Sequence, residues 1–104
     1  QKKARIQSIP KLQNLIRDIN KPMILLGDLN ATPKSKTLLK IKQRWFNSTE
    51  NKVSLTYPAP NPKQQIDYVL YRPKERWTVL KTTVIEDLVA SDHQALLVIF
   101  ELSP

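Results

Sequence analysis

Apolar residues recur at three- and four-residue spacing from Ala4 through Ile6, Ile9, Leu12, Leu15 and Ile16 to Ile19. That is the stripe of an amphipathic helix, which begins or kinks at Pro10 and ends at Asn20-Lys21-Pro22. Met23-Ile24-Leu25-Leu26 is then an unbroken apolar run between turn signals, the pattern of a central strand buried on both faces. Gly27, the one glycine in the chain, follows at the strand exit, where its freedom implies an unusual backbone or a close approach. Thr32-Pro33 reads as an N-cap followed by proline in the first turn of a short helix reaching about Lys42. Trp45 to Pro62, interrupted by Pro58, Pro60 and Pro62, reads as loop or edge structure. Strands are predicted at Ile66 to Tyr71, Trp77 to Ile85 and Ala95 to Leu102. The order predicts an α/β layered fold with a mixed sheet, without internal repeats or low-complexity linkers.

The 104 residues suffice for one small domain, and 40% hydrophobic with 25% charged residues is a globular balance. The absence of cysteine excludes disulfides, thiolate metal sites and a cysteine nucleophile, and leaves the compartment open. No run approaches the roughly 18 apolar residues of a transmembrane segment, and no signal-peptide pattern opens the chain. Gln1 in place of an initiator Met leads us to expect that sequence precedes it. A net charge of +8 is compatible with a solvated lysine-rich surface, the simpler reading, or with a face for an anionic partner. Basic residues concentrate in Lys2 to Lys21, Lys34 to Arg44 and Arg72 to Lys81.

Three short segments hold the candidate chemistry: Gly27-Asp28-Leu29-Asn30, Ile66-Asp67-Tyr68-Val69-Leu70 and Ser91-Asp92-His93. Singly, each has an ordinary explanation as a turn, a cap or a structural histidine. Their placement changes the weighing. Asp28 lies at the C-terminal end of one strand, and Asp67 and Asp92-His93 lie at the starts of others. If the later strands run antiparallel to the first, Asp28, Asn30, Asp67, Asp92 and His93 gather at one sheet edge. Three carboxylates, an amide and an imidazole have the ingredients of metal-assisted hydrolysis. Oxygen donors suit Mg²⁺ or Mn²⁺, and clustered acids repel one another without a cation.

In this order, the three segments resemble the closing motifs of the endonuclease/exonuclease/phosphatase (DNase-I-like) family, in a bacterial variant where Thr56-Tyr57-Pro58 precedes the Ile-Asp-Tyr strand and Ala90-Ser91-Asp92-His93 is the terminal signature. The resemblance implies that Asp28 orients and deprotonates the attacking water, or holds the metal together with Asp92. It also implies that Asn30 donates to phosphoryl oxygens, that His93 contacts the phosphate, and that Asp67 orients His93. Thr32 and Ser35 are better read as helix caps than as substrate contacts. Family members also need an early asparagine, a metal-binding glutamate and a second histidine, which nothing before the first helix supplies. Glu50, Glu75, Glu86 and Glu101 lack the motif context to replace that glutamate. The chain is therefore expected to be the C-terminal portion of such a domain over residues 1–104, half of a four-layer sandwich with helices on one face of its sheet. Its expected partners are the missing N-terminal half or a second copy, and a phosphorylated or polyanionic substrate such as nucleic acid or a phospholipid headgroup. The competing expectation is a non-catalytic binding or assembly module that retains the half-fold.

Overall fold

The computed structural model describes residues 2–86 and 91–104. Ala90 of the terminal signature and the side chains of Ala4 and Ile6 lie outside the described residues. In chain order the elements are α1 (Lys2–Ile16), β1 (Met23–Asp28), α2 (Lys36–Ile41), β2 (Phe46–Asn47), β3 (Asp67–Arg72), a 3₁₀ turn (Lys74–Arg76), β4 (Trp77–Ile85) and β5 (Ala95–Leu102). One sheet has the order β1-β3-β2, and β4 with β5 forms a second, two-stranded sheet. All pairings among the described residues are antiparallel, where the sequence pattern led us to expect a mixed sheet. A parallel neighbour requires a crossover that returns the chain to the same end of the sheet. Here β3 re-enters beside β1 from the end at which β1 finished, so the direction reverses.

The apolar core lies between the two helices and one face of the first sheet. Ile9, Leu38, Ile41, Trp45, Tyr68 and Leu70 are buried there, with Ile16, Met23, Leu25 and Leu29 packed against them. Both helices thus lie on one face, as expected. β1 departs from its expected position: it is an edge strand, and β3 is central. Its residues alternate between inward and outward, so Leu25 faces the helices while Ile24 and Leu26 face away, Leu26 at 68% exposure. A run of apolar side chains looks the same in sequence whether the second face is covered by this chain or by something else. α1 runs through Pro10 and leaves Leu15 exposed, so only part of its stripe meets the core.

The second helix starts later than its sequence suggests. Thr32 accepts the Ser35 N–H in a turn (3.0 Å), and Ser35 is the N-cap, its Oγ accepting from the Leu38 N–H at 3.2 Å. Ser35 wins because its hydroxyl lies three residues before an amide that would otherwise go unpaired.

Gly27 has φ of +144°, and a Cβ built there would meet nothing within 4 Å. The glycine therefore serves backbone conformation, not close approach. Gly27→Ala should cost about 1–3 kcal/mol, the range for a residue forced into such a region. A denaturant midpoint unchanged from the parent chain would contradict this.

Candidate active site

The register of the first sheet builds the site. Asp28, the last residue of β1, is the cross-strand partner of Asp67, the first residue of β3. The pairs Leu26–Val69 and Ile24–Tyr71 continue along the same face, opposite the helices. Like charges placed directly across a ladder repel. His93 relieves this, with Nδ1 2.8 Å from Asp67 Oδ2 and Nε2 3.7 Å from Asp28 Oδ2. The hydrogen bond to Asp67, in first place, raises the His93 pKa; burial opposes it, and the charges of Asp67, Asp28 and Asp92 reinforce it. The imidazole is therefore biased towards the charged form.

Asp28 and Asn30 are joined through the backbone. The Asn30 N–H donates to Asp28 Oδ1 at 2.7 Å, and Asn30 sits at φ +50°, a left-handed conformation that asparagine tolerates. The loop beyond is tied to β3 by the Tyr68 hydroxyl, which donates to the Ala31 carbonyl at 2.7 Å, and the Leu29 N–H reaches the Ile66 carbonyl at 2.9 Å. Burial, followed by the charge of Asp67, pushes the Tyr68 phenol well above its ordinary value.

Asp28, Asp67 and His93 thus offer ligand atoms that all lie within 4.8 Å of one another. Asp92 stands outside that trio. Its carboxylate is 73% exposed, with Oδ1 4.0 Å from His93 Nε2. The structure brings Asn30 to the same corner by its main chain.

Three further residues support the site without a role that their sequence pattern implies. Tyr57 packs its ring beside His93, with centroids 4.9 Å apart and planes tilted by 49°. The Ser91 hydroxyl accepts the His93 N–H at 3.0 Å. Buried Gln65 accepts from the Ser54 N–H and donates to Thr49 Oγ1 and the Asp67 carbonyl, bracing the start of β3. Tyr57 stood in a noted motif, but a buried glutamine beside a second glutamine carries no periodic signal.

A cleft of about 320 Å³ touches Asp67 and His93. A larger one of about 720 Å³ opens towards the other end of β3, between Phe46, Tyr71, Lys74 and Trp77. Its acid, Glu50, is paired with Lys42 at 2.6 Å, so size does not mark the chemistry here; the carboxylate–imidazole cluster does.

The solved structures share this architecture. A functionally unknown conserved protein from Enterococcus faecalis V583 superposes with a TM-score of 0.85 at 19% identity, over 99% of this chain and 46% of its own. A mannosyl-6-phosphatase from Bacteroides thetaiotaomicron VPI-5482 gives 0.75 at 24%, over 98% and 47%. An endonuclease/exonuclease/phosphatase family protein from Bacteroides thetaiotaomicron gives 0.80 at 22%, over 100% and 46%. The chain therefore spans just under half the length of these structures. No curated protein matches its sequence. The sequence profile of the Endonuclease/Exonuclease/phosphatase family, however, matches residues 1–93, from the first helix to the histidine between the two carboxylates, and the chain belongs to that family.

Proposed function

We propose that this chain carries the water-activating and phosphate-contacting groups of a divalent-metal-dependent phosphoesterase. The observation that supports this is the His93 ring lying between two cross-strand carboxylates at one sheet end. Asp28 Oδ2, the oxygen not engaged by Asn30, takes the proton of the attacking water. The Asn30 amide donates to phosphoryl oxygens as charge builds on them. His93, oriented by Asp67 and biased by it towards the imidazolium, donates to the phosphate through Nε2. The water oxygen bonds to phosphorus as the opposite P–O bond breaks in line, and the leaving alkoxide takes a proton from solvent. The mannosyl-6-phosphatase relative favours a phosphomonoester over nucleic acid or a phospholipid headgroup.

The donor set suits a hard cation in part. Asp67 Oδ2 is committed to a hydrogen bond with His93, whereas Asp28 Oδ2 and Asp92 Oδ1 lie 3.7 and 4.0 Å from His93 Nε2, beyond hydrogen-bond distance. Asp92 would hold Mg²⁺ or Mn²⁺, together with Asp28 where Asp28 Oδ2 binds the ion in place of taking the water proton; the ion would supply charge neutralisation and acidify water. Two carboxylates make a weak site, so further ligands would come from outside this chain.

The test is titration with inorganic phosphate at pH 6, followed by NMR. We expect saturable shifts at Asn30 and His93, and binding about tenfold or more weaker in His93→Gln, the loss of one charge-assisted hydrogen bond. A parent chain that binds phosphate no better than His93→Gln would end this reading.

We also propose that the site is completed by association. Ile24 and Leu26, on the face of β1 opposite the helices, are 39% and 68% exposed. Fully burying such side chains is worth about 1.5–3 kcal/mol each. A second copy of this chain or a complementary half-domain would cover them. Light scattering on the purified chain should give a mass above the monomer; a monomer at high concentration would contradict the self-associating form.

A further inference from the structure

We infer that Tyr57 is a positioning residue for His93. The inference rests on the reading of His93 as the phosphate-contacting group. One hydrogen bond, from Nδ1 to Asp67, leaves an imidazole free to swing about that contact, and the His93 side chain is about a quarter exposed. A second constraint comes from the segment containing Thr56, Tyr57 and Ala59. The Gln94 N–H donates to the Thr56 carbonyl at 2.7 Å, and the Ala59 N–H donates to the Asp92 carbonyl at 2.7 Å. The backbone on both sides of His93 is therefore bound to this one segment, and the ring of Tyr57, which lies between Thr56 and Ala59 in sequence, packs beside the imidazole with centroids 4.9 Å apart and planes tilted by 49°.

The segment is itself fixed. The Tyr57 N–H and carbonyl both pair with Gln64, at 3.1 and 3.0 Å, while Thr56 and Gln94 are buried at its base. Tyr57 is only half-buried and lies outside the apolar core cluster, so filling the core does not account for its ring. A tyrosine ring packed beside the imidazole, with the planes tilted by 49°, limits rotation of the imidazole by contact. With Nδ1 bound to Asp67 and the ring packed beside Tyr57, Nε2 is left directed towards Asp28, 3.7 Å away.

The experiment compares the parent chain with Tyr57→Phe, which keeps the ring, and Tyr57→Leu, which removes it. Readouts are NMR contacts between the rings of residues 57 and 93, solvent exchange of the His93 Nδ1 proton, and affinity for inorganic phosphate. Protection of the Ala59 and Gln94 amides reports an intact segment. We expect Tyr57→Phe to match the parent, and Tyr57→Leu to exchange the Nδ1 proton faster and bind phosphate about two- to fivefold more weakly. Unchanged exchange in a folded Tyr57→Leu chain overturns the positioning role. Faster exchange with unchanged phosphate affinity keeps that role and overturns phosphate contact by His93. If Tyr57→Leu does not fold, the parent chain decides: ring-to-ring contacts with a protected Nδ1 proton support the inference, and their absence overturns it.

Discussion

Asp67→Asn should bring the pKa of His93 down from its raised position while leaving the chain folded. The substitution keeps the shape and an acceptor oxygen, and removes the charge. Asp67 is the principal cause of the shift, through its hydrogen bond at 2.8 Å. Asp28 and Asp92 remain and still favour the imidazolium, so the fall is partial. His93 is the one histidine in the chain, so its ring protons can be followed without ambiguity. The sign for stability follows from linkage. The folded pKa lies above the ordinary value of about 6.5, so the ion pair contributes fully below that pH and fades as pH rises through the folded pKa. The phosphate affinity of Asp67→Asn should therefore differ most from that of the parent on the alkaline side, by about tenfold or more if a hydrogen bond between charged groups is lost. At pH 5, with His93 protonated in both chains, the gap should narrow. Superimposable titration curves for His93 in the two chains would show that Asp67 does not control it.

The corner at Asp28, Asp67 and His93 was legible in sequence because it depends on strand ends. An Asp that closes an apolar run and an Asp that opens one must meet if the strands are antiparallel neighbours, and they pair residue for residue. β4 and β5 were equally legible, since β-branched residues dominate β4 and β5 is an unbroken apolar run from Ala95 to Phe100. Position within the sheet was not. Met23–Leu26 reads as a central strand because four apolar residues in a row imply cover on both faces, yet β1 is an edge whose outer face this chain leaves open. The helix start is ambiguous in sequence because Thr32-Pro33 and Ser35 carry competing signals, which the Leu38 N–H to Ser35 Oγ bond resolves. Side chains that act through another residue, Gln65 and Tyr57 among them, depend on contacts between segments that no local pattern encodes.

Tyr68 explains why a tyrosine follows Asp67, and its removal should have the largest effect on stability. The side chain is 1% exposed within the helix-facing core, and its hydroxyl donates to the Ala31 carbonyl. Two substitutions separate bulk from hydroxyl. Tyr68→Phe keeps the ring and strands the Ala31 carbonyl, at a cost of about 1–3 kcal/mol for an unsatisfied buried group. Tyr68→Ala also opens a cavity, and the loss of a large aromatic core residue costs roughly 3–5 kcal/mol. Against a typical domain stability of about 5–15 kcal/mol, the alanine variant should be largely unfolded or shifted to a far lower denaturant midpoint. The phenol adds an alkaline dependence. Its folded pKa lies above the ordinary value of about 10, so the unfolded chain ionises first and stability falls as pH rises beyond 10, a fall that Tyr68→Phe should lessen. The phenylalanine variant also separates fold from site. Ala31 directly follows Asn30, so losing this bond should speed amide exchange from Asp28 to Ala31 while the centre of β3 stays protected. Equal exchange in that loop for the parent and Tyr68→Phe chains would mean that the hydroxyl serves the core alone, and that Asn30 is placed by its bond to Asp28.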